Sequence, residues 1–162
     1  MTSFIEDQFS LKGEVAVVTG GTGELCSAMA QAFAQAGAKV VLVGRDAAKA
    51  DKRLAAIKDA GGEAVFMAAD VTKKTEVERV AADTVKKFGK LTIALNGAGT
   101  NSPTPFLDIS DEELQRILDT NYKSVVYGCQ VFGKTLIDQK QGGVIINITS
   151  MSATGDGSRT SR

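Results

Sequence analysis

Five short β-branched runs in this chain each lead into residues able to grip an anion or a base. Val15-Ala-Val-Val-Thr19 runs into Gly20-Gly-Thr-Gly23, and Lys39-Val-Val-Leu-Val43 runs into Gly44-Arg45. Ala64-Val-Phe-Met-Ala68 precedes Asp70-Val71, and Leu91-Thr-Ile-Ala-Leu95 precedes Asn96-Gly-Ala-Gly99. Val144-Ile-Ile-Asn-Ile148 ends in Thr149-Ser150. Bare glycine amides at a helix start face a phosphate well, because backbone N–H groups and the helix dipole both favour an anion. In an open parallel α/β sheet, ligands sit outside the carboxyl ends of the strands. Glycines, one cation, one carboxylate, an amide and hydroxyls therefore gather on a single edge, and together they point to a nucleotide pocket.

The elements that must position these residues alternate regularly. Leu25, Ala28, Met29, Ala32, Phe33 and Ala36 recur at helical spacing, and Gly37 closes that helix. An Ala-rich helix from about Ala47 to Ala60 stops at Gly61-Gly62, and a charged one from about Lys73 to Phe88 stops at Gly89. After Pro103 and Pro105, Ser110 with Glu113 three residues on has the form of a capping box. It opens a long helix whose apolar stripe runs through Leu114, Ile117, Leu118, Val125, Cys129, Phe132 and Leu136 to Gly142-Gly143. Strand and helix alternating five times with short connections predict an α/β fold, a doubly wound parallel sheet with helices on both faces.

Composition narrows the chemistry. The chain has 162 residues, 19 basic against 19 acidic, and no histidine. Zero net charge argues against a nucleic-acid or anionic-membrane partner. Without histidine the commonest general base is missing and a transition-metal site is not expected. Cys26 and Cys129 match no CxxC or zinc spacing, which suits reduced thiols in a cytoplasmic protein. The N-terminus has no basic flank with a long apolar run, and no stretch approaches the length of a membrane span. The segment from Thr154 to Arg162 is polar and Gly/Ser-rich and reads as a disordered tail.

These residues resemble the classical short-chain dehydrogenase/reductase family. Leu11-Lys-Gly-Glu-Val-Ala-Val-Val-Thr-Gly20, Asp70-Val71, Asn96-Gly-Ala-Gly99, Asn121 and Ile146-Asn-Ile-Thr-Ser150 match its motifs in order and spacing. Leu25-Cys26, the Gly97 variant and Ser150-Met-Ser-Ala153 are further similar to hexuronate (mannonate/fructuronate) oxidoreductases. The resemblance implies a Rossmann-type NAD(P)-binding domain over residues 1–153, truncated after the fifth strand. It also implies a dinucleotide cofactor, hydride transfer to or from a carbonyl or alcohol substrate, and a homo-oligomer in the full-length form.

The same resemblance assigns roles. Thr19, Gly20, Gly21, Thr22, Gly23 and Leu25 would form the pyrophosphate loop. The family pattern places its later glycines where this chain has Glu24 and Cys26. Glu24 then either repels the cofactor, by roughly 1–3 kcal/mol at about 5 Å, or stabilises the helix N-terminus and points into solvent. Cys26 reads as a small packing residue. At the second strand's end an acid accepts from the ribose 2′-OH of NAD, whereas an arginine accommodates the 2′-phosphate of NADP. Gly44 stands at the acidic position and Arg45 follows, so NADP(H) is preferred over NAD(H). Asp70 would bond the adenine amino group and Val71 pack on the ring, unless Asp70 merely starts a turn before Thr72 as an N-cap. Asn96, Gly97, Ala98 and Gly99 would lie against the adenosine ribose. Asn121 would kink the long helix and hold a water of the proton relay, and Ser150 would hydrogen-bond the reacting oxygen.

One motif is absent. The family's proton donor is a Tyr-x-x-x-Lys downstream of the serine, and Tyr122 and Tyr127 lie upstream, followed at the fourth position by Val126 and Val131. Two expectations follow: an oxidoreductase chain inactive in this truncated form, or a non-catalytic nucleotide-binding or interaction module. A methyltransferase-like doubly wound domain fits the alternation but not Asn96-Gly-Ala-Gly99 or Asn147-Ile-Thr-Ser150.

Overall fold

A computed structural model describes residues 4–150, with only the backbone for residues 5–7. The expected polar tail (154–162), Ser152 and the end of the expected domain at residue 153 lie outside the described residues. The elements follow as α1 (Phe4–Phe9), β1 (Val15–Thr19), α2 (Glu24–Gln35), β2 (Lys39–Gly44), α3 (Ala47–Asp59), β3 (Glu63–Ala68) and α4 (Lys74–Phe88). Then come β4 (Ile93–Asn96), a 3-10 turn (Phe106–Asp108), α5 (Asp111–Leu118), a π turn (Asp119–Lys123), α6 (Ser124–Gln139) and β5 (Val144–Asn147).

The five strands pair in parallel in the order β3-β2-β1-β4-β5. β1 is buried along its whole length, as a central parallel strand covered on both faces must be. The two-residue period of a strand deals its side chains to two cores. Ala16 and Val18, with Val40 and Leu42, pack against Cys26, Ala30 and Ala34 of α2 and Ile57 of α3. Val17, Val41 and Val43 pack on the opposite face against Val77, Val80 and Ala81 of α4 and Val131, Phe132 and Leu136 of α6. The doubly wound parallel sheet expected from the alternation is the fold observed. Because the chain builds outward from β1 to β3 and then returns to β4 on the other side of β1, the topology reverses between β1 and β4. A crevice opens at such a switch point.

The long helix departs from its sequence pattern. A π turn interrupts it at Asp119–Lys123, a geometry common at functional sites. Its opening is half a capping box: Ser110 Oγ accepts from the Glu113 amide at 3.2 Å, but the Glu113 carboxylate accepts instead from Ser102 Oγ at 2.6 Å. Leu114 and Leu118 on the apolar stripe are 47% and 46% exposed, whereas Phe132 further along is fully buried. The stripe marks a face, and only its α6 part meets the sheet. α4 begins at Lys74 with Lys73 as its N-cap, so Thr72 lies before the cap. The short α1 was not anticipated, and its Phe4 and Phe9 are exposed. Among the described residues no helix is long and apolar enough to cross a membrane.

Candidate nucleotide site

A cleft of about 420 Å³ lies at the carboxyl ends of the strands. Gly20, Thr22, Gly23 and Leu25 wall it on the β1–α2 side, and Gly44, Arg45 and Lys49 on the β2–α3 side. Asp70, Val71 and Thr72 after β3, Gly97, Ala98 and Gly99 after β4, and Thr120 of the π turn complete the wall. Four of the five strand ends named from sequence thus meet in one cavity. The fifth, at Ser150, is exposed and lies three residues beyond β5, outside that wall.

The glycine loop is folded for close backbone approach. Gly20 has φ +69°, and a Cβ there would lie 2.7 Å from the Gly97 carbonyl oxygen. Gly21 donates from its amide to Val43 O at 3.1 Å, and Gly23 donates to Gly20 O at 2.9 Å. Both bonds lock the loop against β2 and against itself. Gly23 is the N-cap of α2 and supplies no side-chain cap, so first-turn N–H groups of the helix lack a side-chain acceptor among the described residues. Thr19 is buried beneath this loop rather than in the wall. Its Oγ1 donates to Leu95 O at 3.3 Å and accepts from the Gly97 amide at 3.0 Å, tying β1 to the start of the β4 loop.

At the outer end of the cleft, Arg45 forms no hydrogen bond or ion pair among the described residues, although Asp70 feels its charge. Lys49 sits in the first turn of α3, where a cation opposes the helix dipole. Its Nζ lies 3.7 Å from Asp46, the N-cap whose carboxylate accepts from the Lys49 amide at 3.0 Å. A Cβ at Gly44 would lie 2.9 Å from Thr22 Oγ1, so a carboxylate at that position would crowd the loop. Partial burial opposes ionisation of Asp70. Hydrogen bonds from Thr72 Oγ1 (2.7 Å) and the Thr72 amide (3.1 Å), with Lys73 and Arg45 nearby, outweigh it and hold the carboxyl below the usual range.

Asn96 is buried. Its Nδ2 donates to Asn147 Oδ1 at 2.9 Å, and its Oδ1 accepts no hydrogen bond among the described residues. A Cβ on Gly128 of α6 would overlap that amide, so the glycine gives Asn96 its room. Asn121, in the π turn, accepts at Oδ1 from the Thr100 amide (2.7 Å) and donates from Nδ2 to Thr100 O (2.8 Å). This reciprocal pair ties the helix break to the loop after β4. Arg116 Nη1 adds a bond to Thr100 Oγ1 at 2.7 Å.

The two departures from the glycine pattern have separate compensations. The Glu24 carboxylate pairs with the Arg53 guanidinium of α3. Cys26 is buried, and burial pushes its thiol up from the ordinary value, as suits packing rather than reactivity. Its Sγ donates weakly to Gly97 O at 3.4 Å, and a methyl built on Gly97 would overlap that sulfur. The larger residue at 26 and the glycine at 97 are therefore complementary. Gly97→Ala is expected to lower unfolding stability by about 1–3 kcal/mol through overpacking. Adding Cys26→Ala should recover most of that loss, and denaturant unfolding of the two single variants and the double variant measures the coupling. Strictly additive losses would sink the complementarity.

Lys49, Thr120 and Arg53 were missed in the sequence. Lys49 carried a signal, since a lysine in a helix's first turn is unfavourable without an anion. Arg53 had none, because its partner is 29 residues away on another helix.

Comparison with known proteins agrees with this geometry. The family model described as short chain dehydrogenase matches residues 14–161. The uncharacterized oxidoreductase UxuB of Bacillus subtilis (strain 168) is 36% identical over 159 residues, covering 89% of this chain and 57% of its own length. The 3beta-hydroxysteroid dehydrogenase 1 of Eggerthella lenta is 38% identical over 142 residues, covering 87% of this chain and 54% of its own. A short-chain type dehydrogenase/reductase from Mycobacterium marinum superposes with a TM-score of 0.89 at 33% identity, covering 95% of this chain and 62% of that one. The structure of a 7 alpha-hydroxysteroid dehydrogenase complexed with NADH and 7-oxo glycochenodeoxycholic acid superposes with a TM-score of 0.85 at 32% identity, covering 95% and 59%. The chain spans between 53% and 58% of the length of such curated relatives. With the family model matched over residues 14–161 and a parallel fold that superposes on these structures, the chain belongs to the short-chain dehydrogenase family.

Proposed function

We propose that this chain is the dinucleotide-binding part of an oxidoreductase that moves a hydride between NADP(H) and a carbonyl or alcohol substrate. The cleft at the β1/β4 switch point carries this reading, with uncapped amides at one end and Arg45 with Lys49 at the other. The residues present fit a dinucleotide: the glycine loop leaves backbone N–H groups for a pyrophosphate, and a pair of cations faces the outer end. Thr22, Gly23 and Leu25 would line the pyrophosphate, with Gly20 and Gly21 shaping the loop and Thr19 fixing it from below. Asp70 would accept from the adenine amino group, its two bonds from Thr72 holding the carboxylate in place. Val71 would cover the ring, and Ala98 with Gly99 would meet the ribose.

The NADP(H) preference rests on Arg45 and on the absence of a carboxylate at Gly44, where Thr22 leaves little room for one. When bound, the nicotinamide supplies a hydride donor or acceptor. Ser150 would donate to the substrate oxygen. Asn121 would hold a relay water beside the π turn that its Thr100 bonds stabilise. Cytoplasmic location and self-association of the longer protein belong to the same reading. The half-exposed Leu114 and Leu118 are compatible with such an interface.

A nucleotide-binding module without catalysis is favoured for the 162 residues themselves by one observation: they contain no Tyr-x-x-x-Lys. The 162-residue chain should bind NADPH yet oxidise none above background when offered simple ketones and aldehydes. Loss of NADPH absorbance above the uncatalysed rate would overturn that expectation.

A further inference from the structure

We infer that Arg53, which forms no part of the nucleotide cleft, sets the cleft's affinity for phosphate by holding the Glu24 carboxylate aside. The inference rests on the dinucleotide reading above. Glu24 is the first residue of α2, directly after the N-cap Gly23, and is one of the residues that line the cleft beside the glycine loop. It also lines a smaller hollow of about 130 Å³ behind α2, where Arg53 sits with Ser27, Gln31 and Ala56. Glu24 thus stands on the wall between the two spaces, and its carboxylate is joined to the guanidinium on the far side.

The exposures explain what the pair does. Glu24's side chain is 91% exposed and Arg53's 29%. With Glu24 this open the pair adds little to folding stability, because water screens the carboxylate and two long side chains must be ordered. A carboxylate released at a loop that must accept a pyrophosphate acts differently, since like charges at the mouth repel an incoming anion. Arg53 lines the hollow and not the nucleotide cleft, so it can neutralise Glu24 without reaching into that cleft. Arg53 is a positioning residue, acting on the ligand only through Glu24.

The test is a double-mutant cycle on NADPH binding, with Arg53→Ala, Glu24→Gln and the double variant titrated at low and at high salt. Arg53→Ala should weaken NADPH roughly 3- to 10-fold at low salt, with much of the loss disappearing at high salt as screening shortens the repulsion. The double variant should bind within about twofold of Glu24→Gln, because no carboxylate remains to be released. Melting temperatures of all variants should stay close to that of the parent. Unchanged affinity in Arg53→Ala overturns the inference and leaves the dinucleotide reading intact. A loss that persists in the double variant also overturns it, since Arg53 would then attract the phosphate directly. Failure of the parent chain to bind NADPH overturns both.

Discussion

Gly20→Ala is expected to cost about 2–4 kcal/mol of folding stability and to weaken nucleotide binding in whatever fraction remains folded. Two independent penalties meet at this position. The backbone has φ +69°, a left-handed conformation that disfavours any Cβ. The added methyl would also lie 2.7 Å from Gly97 O and 2.9 Å from Ala98 N. Both neighbours are backbone atoms of the loop after β4, itself pinned by Thr19 Oγ1 to the Gly97 amide, so neither can rotate away. Relief would have to come from separating β1 and β4, the two strands between which the cleft opens. Gly23→Ala is the internal control. Its Cβ would meet only Gly20 O, at 3.3 Å, with no positive φ. Denaturant unfolding of the two variants should therefore show a large loss for the first and a small one for the second. Equal losses would mean that the close approach of the glycine loop to the β4 loop is not what holds this edge together.

Arg45→Ala should weaken NADPH binding roughly tenfold to hundredfold while changing NADH binding by less than about twofold. A charge-assisted hydrogen bond to phosphate contributes about 1.5–3 kcal/mol, which corresponds to that range. Arg45 is exposed in the cleft wall and forms no ion pair among the described residues. It therefore needs to abandon no partner in order to meet a 2′-phosphate. Lys49, held near Asp46 at 3.7 Å, should matter less, because part of its charge is already answered. Parallel titrations with the two nucleotides separate the cases. An equal loss for both would make Arg45 a general anion attractor, and no loss for either would leave it a solvated loop cation.

The central strands and the glycine-rich strand ends were legible in the sequence because their signals are local. Val15–Thr19 was bounded to the residue, since a fully buried parallel strand is a continuous apolar run between turn residues. Helix limits shifted by about one residue, as at α2, where Glu24 rather than Leu25 opens the helix. β4 is a shorter ladder than the apolar run from Leu91 suggested. Just before it, Thr92 meets Val15 twice, its amide donating to Val15 O at 2.9 Å and its hydroxyl accepting from the Val15 amide at 2.9 Å.

The parts that were not legible depend on contacts between distant residues. The break at Asn121 was expected from the family resemblance, but its π form was not: the added residue turns the α5 part of the apolar stripe away from the α6 part, and the α-helical spacing of Leu118 and Val125 in sequence does not reveal it. The Glu24 side chain offered two readings until its partner was known, and nothing in the spacing of residues 24 and 53 connects them. Cys26 and Gly97 each looked like an isolated departure from a motif. Packing shows them to be one feature, because the sulfur occupies the space that a side chain at 97 would take.

The most direct test of the nucleotide reading is an amide chemical-shift titration of the 162-residue chain with NADPH. Saturable shifts are expected at Gly20, Gly23 and Leu25, at Arg45, at Asp70 and Val71, and at Gly97 to Gly99, with α5 and the outer face of α6 unaffected. Shifts confined to residues outside this cleft, or no saturable shifts at all, would contradict it.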